Sequence, residues 1–347
     1  MLEVLFIAFI VIIGLQLCYY LLIFNNLSPL KQPEVQTDFN KPVSVLICCK
    51  NEAENLKKNL PYFLNQSYSS FELVLINDRS SDATFEVMES FKKKYPSLVK
   101  IVDVAENEQF WGSKKYALTL GIKAAAHEHL LFSDADCKPN SKHWIKEMCR
   151  NFSNDIGLIL GYGAYRRIKS SLLNKLIRLE TLLTAVQYFS YLNIGLPYMG
   201  VGRNMAYTKT LFFTSNGFAN HMHLRSGDDD LFVNENANNK NTTHCIDQQA
   251  FTTSEPKDNW SEWVLQKRRH LGTAHAYKTH QKVMLGMFYI SQLLFWVLGV
   301  VLASWFYRPD IVLSLLFIRF AVIYMVMANA TKKLNAHNIK RKQTPPS

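Results

Sequence analysis

Residues 129–136 read HLLFSDAD, an apolar strand from His129 to Phe132 followed at once by two carboxylates. In open α/β sheets, ligands bind beyond the carboxyl ends of the strands. Asp134 and Asp136 can therefore hold one divalent cation, because Mg2+ and Mn2+ prefer carboxylate oxygens and keep positions for phosphate oxygens. A solvated loop or a helix N-cap is the alternative, since a D-x-D pattern is common on its own.

Apolar runs earlier in the chain predict parallel strands that alternate with helices. Val43–Cys49 (VSVLICC) and Phe71–Ile76 (FELVLI) are typical of strands buried on both faces, and Val99–Val104 is a shorter one. This alternation indicates βαβ units and a Rossmann-like, mostly parallel sheet in an α/β fold. The predicted helices are Glu52–Asn65, Ala83–Lys94, Lys114–Ala126 and Leu172–Leu192, the last interpreted as a packing or interfacial helix.

The first two strands also end in acidic segments. Glu52 closes Lys50-Asn51-Glu52, and Asp78 follows the second strand. No glycine-rich phosphate loop of the G-x-G-x-x-G or G-x-x-x-x-G-K-S/T type follows any strand. The acids therefore favour contacts to a nucleoside and to a cation that bridges a diphosphate. A helix start for Glu52 and a turn for Asp78 are the alternatives.

Two later segments carry charges whose positions a bound ligand would explain. Lys114 stands at a predicted helix start, where cations are disfavoured, so a nearby phosphate would explain it. Asp228, Asp229 and Asp230 are adjacent carboxylates, and their repulsion raises at least one pKa unless a cation or substrate compensates. One of the three aspartates is interpreted as a general base for a hydroxyl nucleophile. The alternative is that all three lie at a solvated helix start.

A helix predicted from about residue 259 carries a basic segment just before the second long apolar run. Helical spacing puts Gln266, Arg269 and His270 on one side, which we expect to face inward. Lys267 and Arg268 would then point toward lipid headgroups. A basic amphipathic face resting on anionic lipid is the alternative for the whole helix.

Composition excludes several classes of protein. A chain of 347 residues that is 48% hydrophobic is too apolar for disorder. Its six cysteines lack C-x-x-C spacing, so neither a disulfide scaffold nor a zinc site is indicated. The net charge of +11 suits nucleic acid, anionic lipid or a phosphorylated small molecule. Nucleic acid is disfavoured, because the basic residues cluster beside the apolar runs.

Three runs are long and apolar enough to cross a bilayer: Val4–Phe24, Val283–Phe306 and Ile311–Ala330. The first is expected to be an uncleaved anchor, since no small-residue cleavage site follows it. Basic residues flank the central domain and the C-terminal tail, which predicts that both face the cytoplasm. Arg319 interrupts the last run, and we expect it to pair within the helix bundle or to snorkel.

Seven motifs in this order resemble those of the family 2 glycosyltransferases of the GT-A fold, over most of Pro42 to His270. They are Cys49-Lys50-Asn51-Glu52, Asn77–Thr84, Gly112–Leu118, Asp134-Ala135-Asp136, Gly202–Ala206, Ser226–Leu231 and the set Gln266, Arg269 and His270. Three positions depart from the family pattern: Asn77 and Gly227 replace acids, and His270 replaces a tryptophan associated with the acceptor end in processive synthases. Membrane-linked relatives include ceramide glucosyltransferase-like enzymes and polysaccharide synthases.

The resemblance implies a GT-A nucleotide-diphospho-sugar transferase of the cell envelope, with one N-terminal and two C-terminal transmembrane helices. Its reaction would be an inverting, Mg2+- or Mn2+-dependent sugar transfer from a nucleotide-diphosphate sugar, with UDP-sugars favoured. The acceptor would be a hydroxyl of a lipid or of a membrane-associated glycan. A processive polysaccharide synthase subunit, a glycoside hydrolase with paired carboxylates and a non-catalytic nucleotide- or lipid-binding scaffold are the alternatives.

The resemblance also implies a role for each site residue. The residues expected to bind the nucleotide sugar are Glu52, Asp78, Lys114 and Asp134, and the expected metal ligands are Asp136 and Asp134. The expected catalytic residues are Asp228 as the general base, Arg269 to offset the charge of the diphosphate, and Gln266. The residues expected on the acceptor side are Asp229, Asp230, His270 and Asn204. The expected division of the chain is an anchor (1–24), a linker (25–41), the GT-A domain (42–257), an interfacial helix (258–282), a transmembrane hairpin (283–330) and a basic cytoplasmic tail (331–347).

Overall fold

The computed structural model describes residues 1–27, 39–105 and 114–334. Most of the predicted linker, Gly112-Ser113 of the third motif and most of the basic tail lie outside the described residues. Statements about packing below refer to the described part of the chain.

A seven-stranded sheet forms the centre of the region between the first and second apolar helices. Strands β1 (Val43–Cys49), β2 (Phe71–Asn77), β3 (Val99–Asp103) and β4 (His129–Asp134) are parallel, in the spatial order β3-β2-β1-β4. β8 (Met205–Thr208) pairs antiparallel with β4 and with β6 (Leu158–Leu160), and β9 (Thr242–His244) lies parallel to β6. This order confirms the predicted mostly parallel α/β sheet.

Helices cover both faces of this sheet, which explains the continuous apolar runs. Leu46 and Phe132 pack into one buried cluster, whereas their neighbours Ile47 and Leu131 pack into a second cluster on the opposite face. Successive residues of a strand point to opposite faces, so both kinds of position must be apolar when both faces are covered. The helices of this region are α2 (Ala53–Leu64), α3 (Thr84–Lys94), α4 (Lys114–Ala124), α5 (Trp144–Cys149), α6 (Leu172–Asn193), α7 (Lys209–Thr214) and α8 (Asp230–Asn236).

A second, three-stranded sheet extends the domain beside the end of β4. It consists of β5 (Cys137–Pro139), β10 (Thr252–Ser254) and β7 (Gly163–Tyr165), with β10 in the middle. The chain then continues into α9 (Trp260–Leu271), which packs its Trp263 against Leu173 and Ile177 of α6. This arrangement brings α6 and α9 to the edge where the acidic residues collect.

Three helices are long and apolar enough to cross a membrane. They are α1 (Leu2–Cys18) with its π-helical continuation to Phe24, α10 (Thr279–Ser304) and α11 (Pro309–Lys333). Their lengths confirm the three predicted runs, although α10 begins before Val283 and its last turn ends before Phe306.

Arg319 is buried where these three helices meet. Its guanidinium donates to Gln16 of α1 and to Gln292 of α10, the latter at 2.7 Å, and it stacks 3.7 Å from the centre of the Phe295 ring. Gln16 in turn donates to the carbonyl of Ser291 at 2.7 Å. This network confirms the pairing expected for Arg319, and it joins α1, α10 and α11 through polar contacts.

Replacing Gln16 with leucine should leave a buried cation without one of its acceptors. An unsatisfied buried polar group costs about 1–3 kcal/mol, so we expect Gln16→Leu to lower the free energy of unfolding by about that amount. The measurement is unfolding of the detergent-purified protein by titration with sodium dodecyl sulfate. Val11→Leu, on the exposed side of α1, is the control. Equal stability of the two variants would contradict the network's contribution.

Candidate active site

The loops after β1 and β2 are fastened to each other. Asn51 and Arg79 adopt positive φ angles of 57° and 54°, which turn the chain sharply at both strand ends. The Asn51 side chain accepts from the Ser81 amide at 2.8 Å. Asp82 accepts from the Thr84 and Ala53 amides, at the first turns of α3 and α2. Asp82 thus links the first turns of α2 and α3, which fixes the two loops relative to each other.

These loops carry Glu52 and Asp78. Asp78 is buried and accepts from the guanidinium of Arg79, with 2.9 Å from Nε to Oδ1. Glu52 is half-buried and accepts from Asn55. Burial raises the pKa of Glu52, the Asn55 hydrogen bond opposes the rise, and the charges of Asp136 and Asp134 add to it. Glu52 therefore belongs to the same acidic edge as the D-x-D pair.

Lys114 joins two acidic segments that lie far apart in the chain. Its Nζ lies 3.0 Å from Asp134 Oδ1 and 3.0 Å from Asp228 Oδ2. Desolvation opposes the lysine's charge, but the two carboxylates hold the pKa of Lys114 well above its usual value. For Asp228, desolvation raises the pKa and the lysine lowers it; the lysine prevails, so Asp228 is ionised. The segment before α8 is thereby held at the end of β4.

The neighbouring Lys115 fastens the loop that leads into the acidic triplet. Its side chain is fully buried, and Nζ donates to the carbonyl oxygens of His221 at 2.6 Å and Leu224 at 3.2 Å. Two successive lysines at the start of α4 therefore hold the same segment, one through a carboxylate and one through backbone oxygens.

Asp134, Asp136 and Cys137 form a possible metal site, with ligand atoms within 4.8 Å of one another. Burial raises the pKa of Asp136, and the nearby charge of Asp134 raises it further. Burial also keeps the Cys137 thiol protonated by raising its pKa, and its Sγ lies 2.9 Å from Ser254 Oγ. Two carboxylates that repel each other next to a neutral thiol fit a hard, oxygen-binding cation such as Mg2+ or Mn2+ better than a thiolate-bound metal.

Arg203 is a cation at this site that the sequence analysis did not select. Its guanidinium stacks 4.3 Å from the centre of the Tyr165 ring and donates to Ser254 Oγ at 3.3 Å. Burial lowers its pKa, but Tyr165, Cys137 and Asp136 outweigh that effect, so Arg203 stays charged. Its place inside the motif Gly202-Arg203-Asn204 is the sequence signal for it.

The three adjacent aspartates have different environments. Asp229 accepts from the Gly202 and Asp230 amides, each at 2.8 Å, and begins α8. Burial and the charges of Asp228 and Asp230 raise the pKa of Asp229 to about 7. Asp230 accepts from the hydroxyls of Thr273 and Tyr277, which ties α8 to the segment after α9. Burial also raises the pKa of Asp230, and the Thr273 and Tyr277 hydroxyls oppose that rise. Asp228 is held ionised by Lys114, whereas the pKa of Asp229 lies near neutral pH.

The backbone conformation at Gly227 explains why glycine stands there instead of the acid of the family motif. Its φ of +102° lies in the region that favours glycine, and a Cβ there would come within 2.5 Å of the Leu231 side chain. The departure from the family pattern is thus a requirement of the local backbone.

Helix α9 faces the site with a set of residues that differs from the predicted one. Gln266 donates to the Tyr165 hydroxyl at 3.4 Å. Gln266 and His270 both line a central cavity next to the possible metal site, as the helical spacing predicts. Lys267 also lines it and pairs with Glu180 of α6, which corrects the expectation that it points to headgroups. Arg269 is exposed and lies outside the cavity lining, so the inward orientation expected for it is not observed.

Asn204 lies under the site and outside the cavity lining. It is fully buried, accepts from Trp144 Nε1 at 3.0 Å, and donates to the carbonyls of Tyr162 and Ala250 at 3.0 and 2.8 Å. With its hydrogen bonds used in this way, Asn204 positions backbone and does not reach an acceptor, contrary to the expectation from its motif.

One cavity connects these elements. It has a volume of about 320 Å³ and is lined by Asp134, Asp136, Arg203, Asp229 and Asp230 at one end. At the other end it reaches Leu285 and Tyr289 of α10, one of the three helices able to cross a membrane. The possible metal site and the first turns of a candidate membrane span therefore share one space.

The fold is that of a GT-A glycosyltransferase. A mannosyltransferase from Pyrobaculum calidifontis, solved in complex with GDP-Man and Mn2+, has a similar structure with a TM-score of 0.64, 17% sequence identity and coverage of 97% of both chains. Residues 44–217, half of the chain, match the sequence profile described as "Glycosyl transferase family 2". The chain belongs to this family.

Curated relatives include two synthases of a polysaccharide. The chain is 31% identical over 154 residues to the poly-beta-1,6-N-acetyl-D-glucosamine synthase of Staphylococcus aureus (strain COL), and 32% identical over 160 residues to that of Staphylococcus epidermidis. These matches cover 43% and 45% of this chain but only 35% and 36% of the relatives, so the chain matches about a third of their length. The family match ends before Asp228, and the roles of the acidic triplet and of α9 depend on geometry.

Replacing Asp136 should weaken binding of a divalent cation. Loss of one carboxylate from a two-carboxylate site leaves too few charged oxygens to displace the ion's water shell. We expect Asp136→Asn to weaken Mn2+ binding at least about tenfold, as measured by electron paramagnetic resonance of free Mn2+. Asp155→Asn, at an exposed position, is the matched control. Unchanged Mn2+ affinity in Asp136→Asn would rule out this pair as the metal site.

Proposed function

We propose that this protein transfers a sugar, with inversion, from a nucleotide-diphosphate sugar to a hydroxyl of a lipid or membrane-associated glycan acceptor. The observation that carries the proposal is the single cavity that joins the Asp134–Asp136 pair to Asp229 and continues to α10. Membership of glycosyl transferase family 2 supports the class of reaction. A glycoside hydrolase needs paired carboxylates but no divalent cation, and a scaffold needs no base, so the possible metal site beside Asp229 favours a transferase.

The donor would lie along the edge formed by the ends of β1, β2 and β4. Glu52 and Asp78 would contact the nucleoside, and Asp134 and Asp136 would hold Mg2+ or Mn2+ against the diphosphate. Such a cation, when bound, offsets the charge that grows on the departing nucleotide diphosphate. The pairing of the mannosyltransferase relative with GDP-Man and Mn2+ supports a donor and a metal of these classes.

Arg203 is the protein cation best suited to assist at the leaving group. It lines the cavity and is close enough to Asp136 for their charges to interact, whereas Arg269 is exposed outside it. Stacking on Tyr165 fixes the plane of the guanidinium, so little reorganisation is needed when charge develops. We therefore assign to Arg203 the role expected for Arg269, and leave Gln266 as the residue that orients Tyr165.

Asp229 is the proposed general base. Asp228 is paired with Lys114 and does not line the large cavity, and Asp230 accepts hydrogen bonds from Thr273 and Tyr277. Asp229 lines the cavity, and its pKa of about 7 matches the task of taking a proton from an acceptor hydroxyl near neutral pH. The assignment moves the base one residue along the chain from Asp228.

The catalytic domain would face the cytoplasm, where nucleotide sugars are made. The basic residues that flank the spans support this orientation, since cytoplasmic flanks carry an excess of lysine and arginine. The acceptor would then enter from the membrane side of the cavity, beside α10. Similarity to the poly-beta-1,6-N-acetyl-D-glucosamine synthases supports a second candidate, repeated transfer to a growing glycan.

A screen of donors tests the proposed reaction directly. Detergent-purified protein is incubated with UDP-, GDP- and dTDP-sugars and Mg2+ or Mn2+, and release of the free nucleotide diphosphate is followed. We expect release with one nucleotide class and its loss with EDTA, because the metal offsets charge on the leaving group. Product size separates a single transfer from a polymer. Absence of nucleotide release with every donor would refute the proposed function.

The base assignment predicts a specific pH profile. Protonated Asp229 cannot accept a proton, so the rate should rise tenfold per pH unit below about pH 7 and then level off. We expect Asp229→Asn to lower the turnover rate by about 10²–10⁴ with nucleotide affinity nearly unchanged. The measurement is nucleotide release against pH, with Asp155→Asn as control. If Asp229→Asn kept full turnover while Asp228→Asn lost it, Asp228 would be the base.

A further inference from the structure

Helix α6 carries a polar stripe that faces the cavity. Glu180, Thr184 and Gln187 are spaced by four and three residues, which places them on one side of the helix, and all three line the cavity. We name these three residues the α6 stripe. A helix that only packed against its neighbours would bury apolar side chains on this side, because polar groups taken from water need partners. The polar residues of the stripe are therefore better suited to contact a bound molecule than to pack against a neighbouring helix.

The stripe lies on the acceptor side of the candidate active site. The cavity is lined by Asp136 and Asp229 and also by Leu285 and Tyr289, whereas no residue of strands β1 and β2, whose ends carry the proposed donor contacts, lines it. A molecule whose hydroxyl reached Asp229 from the membrane would lie along α6. Tyr289 of α10 donates to Gln187 Oε1 at 3.1 Å, so the stripe continues to the first turns of that helix.

Part of the stripe's hydrogen-bonding capacity is unused within the protein. Gln187 is 6% exposed, and among the described residues its Nε2 has no hydrogen-bond acceptor. The Thr184 hydroxyl makes one long hydrogen bond, 3.4 Å to Glu180. Glu180 is paired with Lys267, so its charge is balanced across the cavity. The stripe thus offers an amide donor, a hydroxyl and a carboxylate oxygen with no excess positive charge.

We propose that the α6 stripe is an acceptor subsite for a sugar, so that the acceptor presents a hydroxyl-rich glycosyl group to the cavity. Closely spaced hydrogen-bond donors and acceptors without excess positive charge match the hydroxyls of a sugar ring. They do not match an acyl chain, which would leave the amide unpaired, and the stripe offers no cation of its own to a phosphate, because Lys267 is already paired with Glu180. The glycosyl group can belong to a glycolipid or to a soluble saccharide. This inference rests on the proposed function.

The test uses the full chain in phospholipid nanodiscs, prepared with lauryldimethylamine oxide because sugar-headed detergents are themselves potential acceptors. With the donor from the screen, nucleotide release is measured alone and with acceptors of four classes. The four classes of acceptor are decyl glycosides of glucose, galactose and N-acetylglucosamine; the same three sugars without the alkyl chain; undecaprenyl phosphate; and dioleoylglycerol. We expect a decyl glycoside or its free sugar to stimulate release, and the difference between those two arms identifies glycolipid or saccharide.

The double variant Thr184→Val, Gln187→Leu should raise the KM for the stimulating glycoside about tenfold or more, since two hydrogen bonds are lost. The KM for the donor and the acceptor-independent release should change less than about twofold. The matched control, Thr214→Val with Gln249→Leu, makes the same substitutions at exposed positions. Acceptor-independent release also reports that the double variant is folded.

Two results would overturn the inference while the proposed function stands. One is stimulation by undecaprenyl phosphate or dioleoylglycerol and by no glycoside. The other is an unchanged KM for the glycoside in the double variant. Loss of release with every donor in the unmodified protein would instead refute the proposed function, and the subsite with it.

Discussion

The site depends on the ion pairs of one lysine. Lys114 lies between Asp134 at the end of β4 and Asp228 before α8, with 3.0 Å to each carboxylate. Without a cation at this point, the D-x-D pair and the acidic triplet would repel each other across a partly desolvated space. The lysine is positioned by the start of α4, whose buried face packs on β1 and β2. The parallel sheet thus decides where the compensating charge stands.

This compensation gives three identical side chains three different properties. Asp228 is ionised because Lys114 contacts it, Asp230 is fixed by two hydroxyl donors, and Asp229 is left with a pKa near neutrality. Repulsion within the triplet is therefore not relieved evenly: it raises the pKa of Asp229 and of Asp230, and only at Asp230 do two hydroxyl donors oppose the rise. A carboxylate with a pKa near neutrality is suited to exchange a proton with a ligand, which is a property of the environment and not of the residue type.

The membrane-facing part of the protein is built from the same kinds of contact. Arg319, Gln16 and Gln292 join the three apolar helices, and Tyr289 and Gln187 join α10 to α6 at the cavity. Lys267 and Glu180 join α9 to α6 at its other wall. Polar pairs between helices fix their rotation, because each helix must turn its polar residues toward a partner. The shape of the cavity follows from those rotations.

Much of the architecture was readable from the chain. Unbroken apolar runs predicted strands covered on both faces, the residues after those strands predicted an acidic edge, and run length predicted three membrane-spanning helices. Those features are local: each follows from composition and periodicity within a few neighbouring residues. The motif order then predicted the family. Local pattern also predicted that Gln266 and His270 face one way, since both lie on one side of α9.

Several features depend on the tertiary structure alone. It distinguishes Asp229 from Asp228, and it places Arg203 in the site, Arg269 outside the cavity and Lys267 inside it. It also shows that Asn204 bonds to the backbone and that α6 forms part of the cavity wall. Each of these outcomes depends on a partner distant in the chain, such as Lys114 for Asp228, Tyr165 for Arg203 and Glu180 for Lys267. Electrostatic and hydrogen-bond energies depend on distance and desolvation between such partners, and spacing along the sequence does not contain those quantities.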